Sequence, residues 1–244
     1  KISLSFNNIS EIQSGAFAIS TLQILQVGNN RIKQWNPNWF TNNDPIDVLA
    51  FNQLSNKSVS NCGQNCNLDK LSEIDFRDNL ISELPSFAFP ELSSVKKIVL
   101  DSNEISRIHS KAFASLTKLK TLSLTYNRLT HVDVNSFPNH LRLTKLAINA
   151  NKLNYISLMV LKQIQPELIA LDGNPWMCAC RKMVTSWIHE NSLKILTTQG
   201  CQDENVPICV DSENDLCNEV IDDSVSKNYF AVYLATSRRC QEAC

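Results

Sequence analysis

Glycine and histidine are scarce in this chain, with five and four among 244 residues, and each shortage removes a class of function. So few glycines leave neither a phosphate-cradling loop nor a dinucleotide-binding turn, since both need several glycines at fixed spacing. The histidines do not cluster: His109, His131 and His140 fall on outer turns of different segments and His189 on a helical stretch. No nucleophile and base are thereby placed together, so no enzyme is expected. Long apolar runs are missing too. The longest, near 230–235, is far too short to span a bilayer, and no direct membrane insertion is expected. Charge of one sign is not in excess. A formal net charge of -1 gives no footprint of a nucleic-acid binder.

What is present is repetition. Eight segments share one template of three apolar positions and one asparagine: Ile2-Leu4-Asn7-Ile9, Leu25-Val27-Asn30-Ile32, Leu49-Phe51-Leu54-Asn56, Ile74-Phe76-Asn79-Ile81, Ile98-Leu100-Asn103-Ile105, Leu122-Leu124-Asn127-Leu129, Leu146-Ile148-Asn151-Leu153 and Ile169-Leu171-Asn174-Trp176. Successive first positions are 23 to 25 residues apart, inside the range of leucine-rich repeats. Each short alternating core reads as a strand too small and one-sided to fold alone, so neighbours must stack and bury one another. The expected fold is an α/β leucine-rich repeat solenoid. It is a right-handed curved coil with a parallel β-ribbon on its concave face.

Asparagine fills the third of these positions in seven of the eight units. Its side chain carries both a donor and an acceptor, as needed where a strand turns away and leaves backbone groups unpaired. Ten residues after each strand start comes an apolar column that includes Leu84, Ile108, Val132 and Ile156. Five residues further lies a second, Phe17, Phe40, Phe89, Phe113, Phe137 and Leu161, which reads as a packed spine.

Nine cysteines point to an oxidising compartment. Zinc is the weaker reading. Cys62 and Cys66 have no second pair nearby in sequence, and Cys178-Ala179-Cys180 lacks the usual ligand spacing. No metal or cofactor is expected. The sequons at Asn8 and Asn56 suit glycosylation in a secreted chain.

After the last repeat, Asn174-Pro175-Trp176-Met177-Cys178-Ala179-Cys180 is followed by Met183, Val184, Trp187 and Ile188 at helical spacing, then Cys201. This stretch resembles the C-terminal cysteine-rich cap of extracellular leucine-rich repeat proteins. The repeats resemble those of Toll-like and Slit-like ectodomains. The resemblance implies a disulfide-stapled cap in which Cys178 pairs with Cys201, and Cys180 with Cys217 or Cys209. Residues 1–176 then form the repeats, 177–217 the cap and 218–244 an extension. Cys209, Cys217, Cys240 and Cys244 exceed the needs of a four-cysteine cap. Such a surplus resembles the secreted leucine-rich repeat proteins of insect innate immunity, which implies a disulfide-linked dimer with Cys244 or Cys240 as the interchain candidate.

Two units depart from the template. In the third, Leu54 replaces the asparagine, Gln64 leaves the Phe column empty, and an irregular loop carries Cys62 and Cys66, expected to be bridged. It reads either as a patched repeat or as a rigid protrusion used for contact. The first unit has no N-terminal cap and opens inside a strand, which suggests a processed or truncated chain.

Binding residues are expected on the concave ribbon, where the pleat turns alternate residues outward. Charge concentrates at Glu73, Asp75, Arg77, Lys97 and Asp101, with Tyr126 as aromatic anchor and Lys145 and Asn149 beside it. Self-neutralising charges are the competing explanation of that patch. The expected function is a secreted recognition module that binds a protein ligand or receptor, and no nucleic acid. The alternatives are an ectodomain fragment of an adhesion or signalling receptor, or a secreted decoy that mimics one.

Overall fold

In a computed structural model the described residues are 2–11, 13, 24–27, 29–30, 48–51, 72–75, 77–86, 88–89, 93–139, 141–196, 209–211, 216–217 and 221–231. Cys62, Cys66, Asn56, Cys201, Cys240 and Cys244 lie outside them, as does the irregular loop of the third unit.

Each repeat contributes one short strand: β1 (Ile2–Ser3), β2 (Ile24–Val27), β3 (Val48–Phe51), β4 (Glu73–Asp75), β6 (Lys97–Val99), β8 (Thr121–Ser123), β9 (Lys145–Ala147) and β10 (Leu168–Ala170). They pair in parallel with the template in register, so that Ile98 faces Leu122, Leu122 faces Leu146 and Leu146 faces Ile169. A strand outside the eightfold template, β11 (Lys194–Ile195), pairs with β10 and extends this sheet to nine described strands. On the outer side β5 (Glu83–Leu84) and β7 (Arg107–Ile108) form a second, two-stranded parallel sheet. This is the leucine-rich repeat architecture that the template predicts.

The core lies between these layers. Ile98, Leu100, Leu122, Leu124, Leu146, Ile148 and Ile169 are buried from the sheet side, and Leu84, Ile108 and Ile156 from the outer side. Over Phe89, Phe113 and Phe137 the Phe column stacks as its spacing predicts, while Phe17 and Phe40 lie outside the described residues. The rings of Phe89 and Phe113 are 5.8 Å apart and those of Phe113 and Phe137 5.1 Å apart, nearly parallel in both pairs.

The asparagines tie coil to coil. Asn127 Nδ2 donates to Leu100 O of the preceding coil at 2.8 Å and to Leu124 O of its own at 3.1 Å. Its Oδ1 accepts the Ile105 N–H at 3.0 Å. Asn151 and Asn174 repeat the arrangement, and Asn103 accepts from Ile81 N in the same way. One side chain thus satisfies backbone groups on two coils, which an aliphatic residue of similar size would strand.

Outer segments vary. Unit six has a 3-10 turn at Val134–Ser136, capped by Asp133. Unit seven has α1 (Leu158–Ile164), with Ser157 as N-cap and a left-handed Gln165 ending it before Pro166. The second helix, α2 (Cys178–Glu190), buries Cys180, Val184, Trp187 and Ile188 over the end of the core, while Met183 is only half-buried. Trp176 is buried beneath it, its indole Nε1 donating to Leu171 O at 2.9 Å.

Two disulfides join α2 to the chain beyond it, Cys178–Cys209 and Cys180–Cys217. The expected Cys178–Cys201 pair is therefore corrected. Val210 bridges Met177 in parallel and accepts the Cys178 N–H at 3.0 Å. That backbone pairing brings Cys209 to the start of α2, with Cα atoms 4.9 Å apart, inside disulfide reach. Beyond Cys217 the chain returns to the repeats. A helical stretch at 223–231 buries Val225 and Tyr229, and Val225 joins Met177 and Cys180 in a small second core.

Candidate protein-binding face

The pleat places Glu73, Asp75, Lys97 and Lys145 on the side of the sheet opposite the core. Arg77, Asp101 and Asn149 continue that side where the strands turn. Glu73 Oε2 meets Lys97 Nζ at 3.0 Å across β4 and β6. Asp75 accepts from Arg77 Nε at 2.7 Å and its Nη2 at 2.6 Å, and this hydrogen bonding holds the guanidinium above its usual pKa. Self-neutralisation therefore accounts for four of the charged residues.

Asp101 is used differently. Its Oδ1 accepts from Ser123 Oγ at 2.6 Å and Thr125 N at 2.8 Å, and Thr125 Oγ1 donates to Asn149 Oδ1 at 3.0 Å. A polar chain thus crosses three coils. Asn149 is only 2% exposed, so it holds this face in shape and offers little contact area. Tyr126 is 63% exposed at the end of the same network. Lys145 forms no ion pair among the described residues.

One feature of the face has only a faint sequence signal. The residue before every described ladder asparagine has left-handed backbone: Phe6, Asn29, Asp78, Ser102, Tyr126, Ala150 and Gly173. Asn29, Asp78 and Gly173 are types that tolerate this region, and they could have revealed it. A bulky aromatic there is strained. Partial compensation comes from backbone hydrogen bonds, Ser102 N to Thr125 O at 2.9 Å and Tyr126 N to Asn149 O at 3.2 Å. At Gly173 an added Cβ would meet Ala150 N and Cα at 3.3 Å. At Tyr126 and Phe6 the conformation throws an aromatic ring into solvent, Phe6 being 82% exposed.

Asn154 carries no sequence signal of its function, because that position holds serine, threonine, lysine or methionine in the other units. It is fully buried. Its Nδ2 donates to Pro175 O at 2.9 Å and Ser226 Oγ at 3.2 Å, and its Oδ1 accepts from Asp222 N at 2.9 Å. Nearby, burial pushes Arg181 below its usual pKa while the Asp172 carboxylate pushes it back.

His109 Nε2 lies 3.2 Å from Glu83 Oε2 across β5 and β7, and His131 Nδ1 3.3 Å from Thr130 Oγ1. Among the described residues neither histidine joins a hydroxyl or thiol to a carboxylate, and no metal-binding cluster occurs. No described helix is long and apolar enough to cross a membrane. The Asn8 sequon is exposed.

Family models agree with this geometry. Residues 69–129 match the model described as leucine rich repeat, and residues 1–72 match the BspA type leucine rich repeat region. No curated protein matches. Among solved structures, a leucine-rich repeat protein of Leptospira interrogans is similar at 16% identity and a TM-score of 0.51, over 80% of this chain. The chain spans 42% of that protein's length, and the likeness is one of fold.

Proposed function

The chain is a leucine-rich repeat protein, and from that premise we propose that it is an extracellular recognition module whose open sheet face grips a protein partner. Proteins of this family generally act as interaction scaffolds rather than enzymes. The observation that carries the reading is Tyr126. It is an exposed aromatic in strained left-handed backbone, held above the Asp101–Ser123–Thr125–Asn149 chain. Rigidly presented aromatics make good interface anchors, because little side-chain entropy is lost on binding.

The two cap disulfides support an oxidising, extracellular setting. Within it, the surplus cysteines favour a secreted immune-type factor, with Cys244 or Cys240 as an interchain link, over a receptor ectodomain fragment or a decoy. A photo-crosslinking residue at position 126, compared with one at Arg107 on the outer sheet, tests the face in native extracellular fluid. A discrete adduct from position 126 alone is expected. Equal adducts from both positions, or from 107 only, overturn the assignment.

A further inference from the structure

Lys97, Thr121, Lys145, Leu168 and Lys194 stand side by side in the parallel register of β6, β8, β9, β10 and β11. The lysines thus recur on alternate strands, about 9.6 Å apart at a strand spacing of ~4.8 Å. Lys97 shares its ammonium with Glu73, whereas Lys145 and Lys194 form no ion pair among the described residues. Exposed Lys96, Lys120 and Arg142 lie along the same edge of the face, opposed by Glu73 and exposed Glu167. In a chain of net charge -1 this edge is net basic.

Beside the row the sheet is floored by Val99, Ser123, Ala147 and Ala170, all short and buried, so a main chain can approach closely. Four residues along each strand, about 13 Å away at ~3.3 Å per residue, the far side of the face carries Asp101 and Asp172.

We propose that this row binds an extended, polyproline-II segment of a protein partner that carries an acidic residue at every third position. The inference rests on the protein-binding reading and names the chemistry of the partner. Polyproline II has three residues per turn and rises about 3.1 Å per residue, so every third side chain returns to one face after about 9.3 Å. A β-strand returns at about 6.7 Å and an α-helix at about 5.4 and 10.8 Å, neither of which tracks the lysines over two steps. A uniformly anionic polymer such as nucleic acid fits less well, because Asp101 and Asp172 repel its far side.

The test is fluorescence anisotropy of labelled (Glu-Pro-Pro)4 on the full chain at physiological salt, against a peptide of equal composition with its glutamates in one block. The triplet peptide is expected to bind about tenfold tighter, since it forms three rim ion pairs where the block forms about one. Lys145→Glu and Lys194→Glu, with unchanged thermal unfolding, each weaken it by about three- to tenfold. Glu73→Gln frees Lys97 and tightens it by about twofold. Equal affinity for both peptides, indifference to the lysine variants, or tighter binding of single-stranded DNA overturns the proposal. If the adduct from position 126 persists while the peptides are not discriminated, the lysine row fails alone. Loss of both removes the binding face itself.

Discussion

Asn154 Oδ1 accepts the backbone N–H of Asp222 at 2.9 Å, fastening the seventh repeat to a segment 68 residues further along the chain. With its donations to Pro175 and Ser226, this one buried side chain holds the returning segment against the seventh and eighth repeats. Asn154→Ala strands those partners and should cost about 1–3 kcal/mol. Hydrogen exchange should show faster exchange across 223–231 while β8 and β9 stay protected. Uniform acceleration would mean that Asn154 serves the whole core instead.

The ladder makes a comparable prediction at Asn127. Replacement by alanine leaves Leu100 O and Ile105 N without that partner. Urea unfolding should show a loss of about 1–3 kcal/mol. A change below about 0.5 kcal/mol would remove the asparagine ladder as a stabilising device.

Phe113 and Tyr126 should separate stability from binding. Phe113 is fully buried between Phe89 and Phe137, and Phe113→Ala should cost about 3–5 kcal/mol. Tyr126→Gly relieves about 1 kcal/mol of backbone strain and adds a comparable glycine entropy cost, for a net change near zero. Partner capture should fall sharply all the same. Intact capture by the glycine variant would refute the anchor role.

Nonreducing peptide mapping should recover Cys178 linked to Cys209 and Cys180 linked to Cys217. Recovery of Cys178 joined to Cys201 would contradict the Met177–Val210 pairing that positions the bridge.

Acid should loosen the segment at 223–231. Hydrogen bonds from Ser224 Oγ, Ser224 N and Val225 N hold Asp222 below the usual carboxylate pKa. A carboxylate whose folded pKa is depressed contributes stability above its unfolded pKa, and that contribution disappears as pH falls through the folded value. Exchange protection at 223–231 should therefore begin to drop as pH falls below about 4, the unfolded Asp value, and go on dropping through the lower folded value. Asp222→Asn should blunt that drop. An unchanged acid profile in the variant would show that another group controls it.

Much of the fold was legible because each coil repeats one local problem. A strand of alternating residues must bury Leu122 and Leu124, and the turn after it must satisfy its backbone, so apolar and asparagine positions recur at fixed offsets. The Phe spine was legible for the same reason. On the candidate face the outward residues followed from the pleat, but their commitments did not. Sequence could not say that Asp101 is spent on Ser123 and Thr125, or that Asn149 is buried. The short alternation Leu193-Lys194-Ile195-Leu196 was a usable sign of β11, since Ile195 pairs with Ile169 in the register of the earlier units.

The sequence by itself determined the stacked coils, their core columns and the asparagine ladder, because those depend on contacts between equivalent positions one repeat apart. Tertiary structure alone decided which cysteines after the repeats meet and how 223–231 docks on Asn154. Those contacts join segments outside the repeat, where no fixed offset relates the partners and only the path of the backbone brings them together.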